Sequence, residues 1–343
     1  MSRARTSLAL PVMGALLVVA MIVATGFGAE TIPVREVLAV LRDRLTGTAH
    51  ADLGLDTIVW QLRVPRTVLA AIVGAGLAVA GAAMQTLVRN PLADPYLLGV
   101  SSGAGVGAAA VITSGVFAGA GLWALSAGAL AGAFAAAAAV FLIALAQGGL
   151  TPLRLVLTGT VLGSAFAAFS SYLIFRSSDP SAAQSVLFWL LGSLSGADWT
   201  RILLPGCVVA ACLAALLLAA NWLDALNLGP DTAASIGVPV RELRIALFVL
   251  LAVLVGVLVA VSGGIGFVGL VVPHAARLLV GPRHRVLLPA SALCGATFLV
   301  VADAATRVLV RPTEIPVGVL TGLIGAPAFL LLMGRRTYRF GTA

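Results

Sequence analysis

The side chains able to do chemistry in this sequence are few, and most of the charged ones are arginine. All 21 basic residues are arginine and none is lysine. That absence excludes a phosphate-gripping P-loop lysine and any Schiff-base lysine, so if ATP drives this protein another chain must hydrolyse it. Cys207, Cys212 and Cys294 lie inside apolar runs without CxxC spacing and read as small packing residues. His274, next to Pro273, reads as a hydrogen-bonded structural residue rather than a ligand or proton relay. No residues fall at the spacing of a catalytic set or a metal centre, so neither is expected. What is left is a set of arginines and two interruptions of the apolar runs.

Asp303 and Arg307 lie four apart and share one helix face. Two readings stand: a pair that lowers the cost of burying both, or an Arg307 offered to a partner. Arg63 and Arg66, three apart before a long apolar run, either snorkel to headgroups or meet a partner's carboxylates. Two stretches interrupt apolar runs with proline and glycine. The first, RNPLADPYLLGVSSGAGVG from Arg89 to Gly107, contains Pro91 and Pro95; the second is Ser262 to Gly269, followed by Pro273. Irregular backbone at membrane depth survives only where protein or a polar cavity covers it. In secondary carriers such breaks hold ions, but neither break here carries the intramembrane carboxylates of an ion-coupled carrier. In the interval Leu226 to Val240, Pro230 starts one short helix, Asp231 sits in its first turn and Gly237 ends it. That helix is either a docking element or an ordinary loop.

These residues need a membrane bundle to position them. The 343 residues are 60% hydrophobic and only 10% charged, with a mean hydropathy of +1.10, against about one-quarter charged in a soluble domain. The net charge of +8 does not indicate nucleic-acid binding, because the arginines are scattered between apolar runs instead of forming a patch. A crossing needs about 20 apolar residues. The first is Leu8 to Gly28, longer than the roughly 7–15 apolar residues of a signal peptide and so read as a retained anchor. An ordered polar segment, Glu30 to Arg66, precedes the second span, Thr67 to Val88. Residues 95–153 carry no charge and hold two helices joined near Gly115 to Gly121. Leu155 to Phe175 follows, then a short amphipathic helix outside the core, Ala182 to Leu194, and a span over Ile202 to Leu223. Ile245 to Ala276 splits at Ser262 to Gly266 into a full span and a shorter one ending near Val280. Val286 to Val308 and Ile315 to Met333 complete ten helices with both termini on one side.

With the N-terminus inside, Arg3, Arg5, Arg89, Arg154, Arg241, Arg244, Arg283, Arg285, Arg335, Arg336 and Arg339 lie on the inner face. That makes eleven arginines inside against nine outside, and the positive-inside rule favours this orientation. Glycine pairs at spacing four (Gly103/Gly107, Gly115/Gly119, Gly192/Gly196, Gly318/Gly322) predict close helix packing. The expectation is one transmembrane domain, 1–343. Its parts are an N-terminal helix in 1–28, an extracytoplasmic loop at 29–62, a cytoplasmic loop at 224–244 and a cytoplasmic tail at 334–343.

Five segments in order, QLRVPRTVLAAIVGAGLAVAGAAMQTLVRNPLADPYLLGVSSGAGVG, VLFWLLGSLSGADW, LNLGPDTAASIGV, GGIGFVGLVVPHAARLLVGPRHR and EIPVGVLTGLIGAPAFLLL, closely resemble the signatures of FecCD-type permeases from about Trp60 to Leu332. These are membrane subunits of type II ABC importers for ferric siderophores, haem or cobalamin. The resemblance implies an all-α integral membrane fold of ten helices per subunit. It also implies a homodimer with its path on the two-fold axis, in the cytoplasmic membrane of a bacterium. Partners would be two ATPase subunits holding ATP and Mg, an extracytoplasmic substrate-binding protein, lipid and an iron chelate. The chain itself would bind no cofactor and catalyse no reaction.

Site roles follow by the same resemblance. Leu228, Asp231, Ala234, Ser235, Gly237 and Val238 match the coupling helix that sits in a groove of the ATPase. Arg63, Arg66 and Arg307 match arginines that receive acidic residues of the binding protein. Asn90 and Leu92 match the cytoplasmic gate, together with Thr151, Pro152 and Leu153, although Pro152 and Leu153 replace the small hydroxylated residues usual there. A ferric siderophore is the expected cargo, with haem or cobalamin as the alternative and an ion-coupled carrier as the rival class.

Overall fold

The computed structural model describes residues 3–48, 50–310 and 313–334, so the tail arginines Arg335, Arg336 and Arg339 lie outside the described residues. The described chain is helical throughout: α1 Arg3–Gly26, α2 Val34–Thr46, α3 Leu53–Asp56, α4 Val64–Val88, α5 Val100–Ser114, α6 Ala124–Ala146, α7 Pro152–Arg176, α8 Ala182–Leu190, α9 Leu203–Leu218, α10 Ala220–Asn227, α11 Pro230–Ser235, α12 Val240–Ser262, α13 Val268–Val280, α14 His284–Thr306 and α15 Val317–Gly334. Seven segments among the described residues are long and apolar enough to cross a membrane. Three further apolar helices, α5, α13 and α15, are shorter. Two of these, α5 and α13, are short because the chain breaks immediately before them, at Pro91–Pro95 and at Gly263–Gly266.

The second crossing begins earlier than the sequence pattern places it. A continuous helical path runs from Leu53 through a π-helical turn, Thr57–Arg63, into α4. Arg63 and Arg66 therefore sit inside a helix, where protein partners meet their charge. Between α1 and α4, α2 and the π turn bury Val37, Val40 and Val59 together. Beside this small core, Arg44 Nε donates to Asp56 Oδ1 at 2.9 Å, and the Trp60 and Trp199 rings lie 4.8 Å apart.

Helix α4 is the centre of the bundle, buried along almost its whole length between α14, α13, α12 and α9. Lipid gives helices no hydrophobic reason to associate, so close backbone contact has to hold them. A Cβ on Gly81 would overlap the Gly269 carbonyl of α13, and one on Gly74 would overlap the Gly295 carbonyl of α14. The expected pair Gly103/Gly107 does pack α5 onto Gly132 and Gly128 of α6. Gly115 and Gly119 do not pack: they lie in the outer turn after α5 with open space beside them. Spacing alone does not distinguish a loop from a helix face.

Helix α8 is short, as expected, and ends at Leu190 rather than Leu194. Its C-terminal end is docked: Leu190 lies against Gly105 and the Trp189 carbonyl against Gly263, and just beyond the helix Ser193 N–H donates to Ser262 O at 2.9 Å. By contrast, α7 and α15 leave broad apolar faces uncovered in the single chain, including Leu157, Val161, Phe169 and Tyr172 on α7 and Leu323, Ile324, Leu330 and Leu331 on α15.

Candidate functional site

The Arg89–Asp94 turn is built by its own sequence. Val88 ends α4, Arg89 takes the left-handed conformation (φ 54°, ψ 38°), and Asn90 N–H reaches back to Gln85 O at 3.0 Å. The Asn90 side chain then accepts from Leu92 N–H at 2.9 Å, an Asx turn that directs the chain back into the protein. Asp94 caps the next short helix, Pro95–Leu98, by accepting from Tyr96 N–H at 2.8 Å. Asn90 shapes the turn through Oδ1 and, like Leu92, is exposed. Thr151 caps α7 in extended conformation, and Pro152 fits at the first helical position, where no donor is required. Leu153 next to it is exposed.

The two helix breaks, separate features in the sequence, meet in the structure. The Tyr96 hydroxyl donates to Ile265 O at 3.0 Å and accepts from Ile265 N–H at 2.9 Å. Pro95 packs on Gly269, leaving no room for a Cβ there. On the other side, Val317 N–H donates to Gly192 O and Gly318 N–H to Leu191 O, each at 3.0 Å. This is irregular backbone inside the bundle that protein groups satisfy. Nothing in the sequence pattern marked Tyr96.

At the same end as the turn, α10 leads through Leu228 and Gly229 into α11, and Gly237 (φ 86°) closes the hairpin with its N–H on Ala234 O at 3.0 Å. Leu228, Asp231, Ala234, Ser235 and Gly237 face outward, as does Ile236, whereas Val238 is buried and anchors the hairpin through its N–H to Ala233 O. A cavity of about 380 Å³ separates α11 from the Gly148–Thr151 turn, with Arg241 and Arg244 in its wall. Behind it, the Asp224 carboxylate faces His284. Burial works against its charge, but the side-chain and backbone bonds from His284, with the charges of His284 and Arg283, hold it below the usual carboxylate range.

The opposite end gathers two of the three predicted arginines, Arg66 and Arg307, around one acid, Asp303. Arg66 Nε donates to Asp303 Oδ1 at 3.0 Å, and its Nη1 lies 2.8 Å from Glu314 Oε2. Arg307 Nη2 lies 3.1 Å from Asp303 Oδ2, an ion pair without an aligned hydrogen bond, and its Nη1 donates to Phe27 O at 2.9 Å. Arg63 donates to the carbonyls of Gly26 and Glu30 at 2.9 and 2.7 Å. The Asp303–Arg307 pair is therefore formed, and the Arg307 side chain is only 3% exposed. Glu314, which the sequence reading did not single out, completes the network. Arg63, Arg66, Arg307 and Glu314 line a cavity of about 950 Å³ together with Glu30, Glu36 and Asp52.

A bundle of apolar helices, with a re-entrant turn and an exposed hairpin at one end and a charged bowl at the other, defines a multi-pass membrane transport protein. The chain belongs to the FecCD transport family, whose model matches residues 16–335, and so is a permease of an ABC importer. It is 38% identical over 331 residues to the Fe(3+)-citrate import system permease protein YfmE of Bacillus subtilis, covering 96% of this chain and 95% of the relative. It is 43% identical over 286 residues to the cobalamin import system permease protein BtuC of Halobacterium salinarum, covering 83% and 75%. A solved inward-facing structure assigned to the metal-chelate type of ABC transporter superposes with a TM-score of 0.83 at 34% identity, covering 94% of this chain and 98% of that one.

Proposed function

We propose that this permease moves a ferric siderophore across a bacterial cytoplasmic membrane by alternating access, as a homodimer of ten-helix subunits powered by two separate ATPase chains. The observation that carries the mechanism is the placement of the exposed α11 hairpin beside the Thr151 turn and behind the inner end of α4. An ATPase gripping Leu228, Asp231, Ala234, Ser235 and Gly237 would act one short segment away from the gate. The three short helices count as crossings here because α5 and α13 continue from re-entrant backbone. The uncovered faces of α7 and α15 suit a second copy and the wall of a path between the two.

The gate follows from side-chain commitments. Asn90 both holds the turn and faces outward beside the exposed apolar Leu92 and Leu153 of each subunit, whose side chains make a dewetted constriction of the kind that gates by excluding water. At the outer bowl, Arg63 and Arg66 and the acids around them meet an extracytoplasmic binding protein, and Arg307 supports them from beneath. Rim charges of this kind chiefly set encounter and register. The arginine bias puts both termini in the cytoplasm. An iron chelate is supported by the near full-length match to a ferric citrate permease; the match to a cobalamin permease keeps a corrinoid or haem as the second reading.

Reconstitution in liposomes with and without the ATPase and binding protein, with a panel of ferric siderophores, haem and cobalamin, tests the reading. Uptake of a ferric siderophore that requires ATP is expected. Uptake that needs no ATPase and follows an ion gradient would refute it, and ATP-driven uptake of cobalamin alone would move the cargo to the second reading.

A further inference from the structure

His284, fully buried at the start of α14, ties together three elements that the sequence leaves far apart. Its Nδ1 lies 2.6 Å from Asp224 Oδ1, and its backbone N–H donates to the same oxygen at 3.0 Å. Its Nε2 meets the Thr86 hydroxyl at 2.9 Å. A carboxylate can only accept, so Nδ1 carries a proton towards Asp224, and Nε2 shares the second bond with the Thr86 hydroxyl, which also reaches Ala82 O at 3.2 Å.

The positions of the two partners give the contact its meaning. Asp224 lies in α10, which runs directly into Gly229 and the α11 hairpin. Thr86 lies in the last turn of α4, whose end is the Arg89–Asn90 turn; Arg89 N–H bonds to Thr86 O itself at 3.2 Å. We infer that Asp224, His284 and Thr86 form a polar linkage that carries displacement of the coupling hairpin to the inner gate, with His284 as a positioning residue. This rests on the coupling and gate roles proposed above. Apolar packing would permit α10 to slide along α4. A chain of three groups, two of them buried, resists sliding, because parting His284 from Thr86 leaves the ring nitrogen unpaired in a dry site, while the Thr86 hydroxyl keeps only the Ala82 carbonyl of its own helix and Asp224 is partly exposed.

The test uses the complete transporter, permease dimer with ATPases and binding protein, in liposomes, and reads ATP hydrolysed per chelate imported. Thr86→Val keeps the shape and removes the hydroxyl; Thr86→Ser keeps the hydroxyl. For Thr86→Val the ratio is expected to rise about tenfold while hydrolysis stays within about twofold of native, the effect of one lost buried hydrogen bond. Thr86→Ser is expected to return it to the native value. A native ratio in Thr86→Val, or equal ratios in the two variants, overturns the linkage. Should Thr86→Val not assemble, Asp224→Ala, on the half-exposed side, carries the same expectation and the same refutation. The unmodified complex is measured first: import indifferent to ATP there would fail the importer reading itself, independently of the linkage.

Discussion

Replacing Asp303 by Asn should weaken the outer end of the bundle far more than any neighbouring charge change. The Asp303 side chain is 1% exposed and serves two guanidinium groups, Arg66 at 2.9 Å and Arg307 at 3.1 Å, whose own side chains are 12% and 3% exposed. Asn fills the same space, so no cavity opens and the effect is electrostatic. Removing one partner of a buried pair costs roughly 3–5 kcal/mol. Arg66 keeps Glu314 at 2.8 Å, so most of the loss falls on Arg307, which retains only carbonyl acceptors, among them Phe27 O. The expectation is therefore the lower end, about 3 kcal/mol. Glu314 is 42% exposed, and Glu314→Gln should cost only about 0–1 kcal/mol. In thermal unfolding of the purified permease under one detergent condition, Asp303→Asn should lower Tm by about 4 °C, and Glu314→Gln by roughly 1 °C at most. Equal shifts for the two variants, or an unchanged Tm for Asp303→Asn, would refute the assignment of Asp303 as the buried hub.

Other perturbations address the remaining parts of the site. Gly237→Trp places a bulky residue at φ 86°, a conformation that costs a non-glycine residue roughly 1–2 kcal/mol; hydrolysis should continue while import falls, and unimpaired import counts against the coupling role. Tyr96→Phe removes both bonds to Ile265, each worth about 0.5–1.5 kcal/mol, and amide exchange across residues 262–268 should accelerate, whereas unaltered exchange would show that the clasp contributes nothing. Arg63→Glu with Arg66→Glu should weaken binding-protein docking, and the native complex should loosen as salt rises. Docking insensitive to both changes would return these arginines to a purely internal role.

What the sequence revealed, and what it did not, follows from the range over which each feature acts. Pro91, Pro95 and the run Ser262 to Gly266 announce breaks because proline removes a donor and glycine frees the backbone wherever they occur. Pro230 and Gly237 bracket α11 for the same local reason. The start of the second crossing was misplaced because Arg63 and Arg66 look like surface residues until Gly26, Glu30, Asp303 and Glu314 come into view, and the last two are more than 200 positions away. The pairing of Asp303 with Arg307 was legible at spacing four, but its extension to Arg66 was not. Tyr96 and His284 carry no periodic signal at all; only the folded chain sets one against Ile265 and the other between Asp224 and Thr86.

The glycine contacts of α4 decide where this molecule can yield. Where Gly81 meets Gly269 and Gly74 meets Gly295, main chain rests on main chain, with no rotamers between them to absorb a shift. Side-chain interfaces can slip by exchanging one set of torsions for another, whereas these contacts can only hold or separate. Helices α4, α13 and α14 therefore turn as one block when the hairpin displaces Asp224 and His284, and the end of α4 moves with them. The less tightly covered helices around the block, α7 foremost, take up the difference.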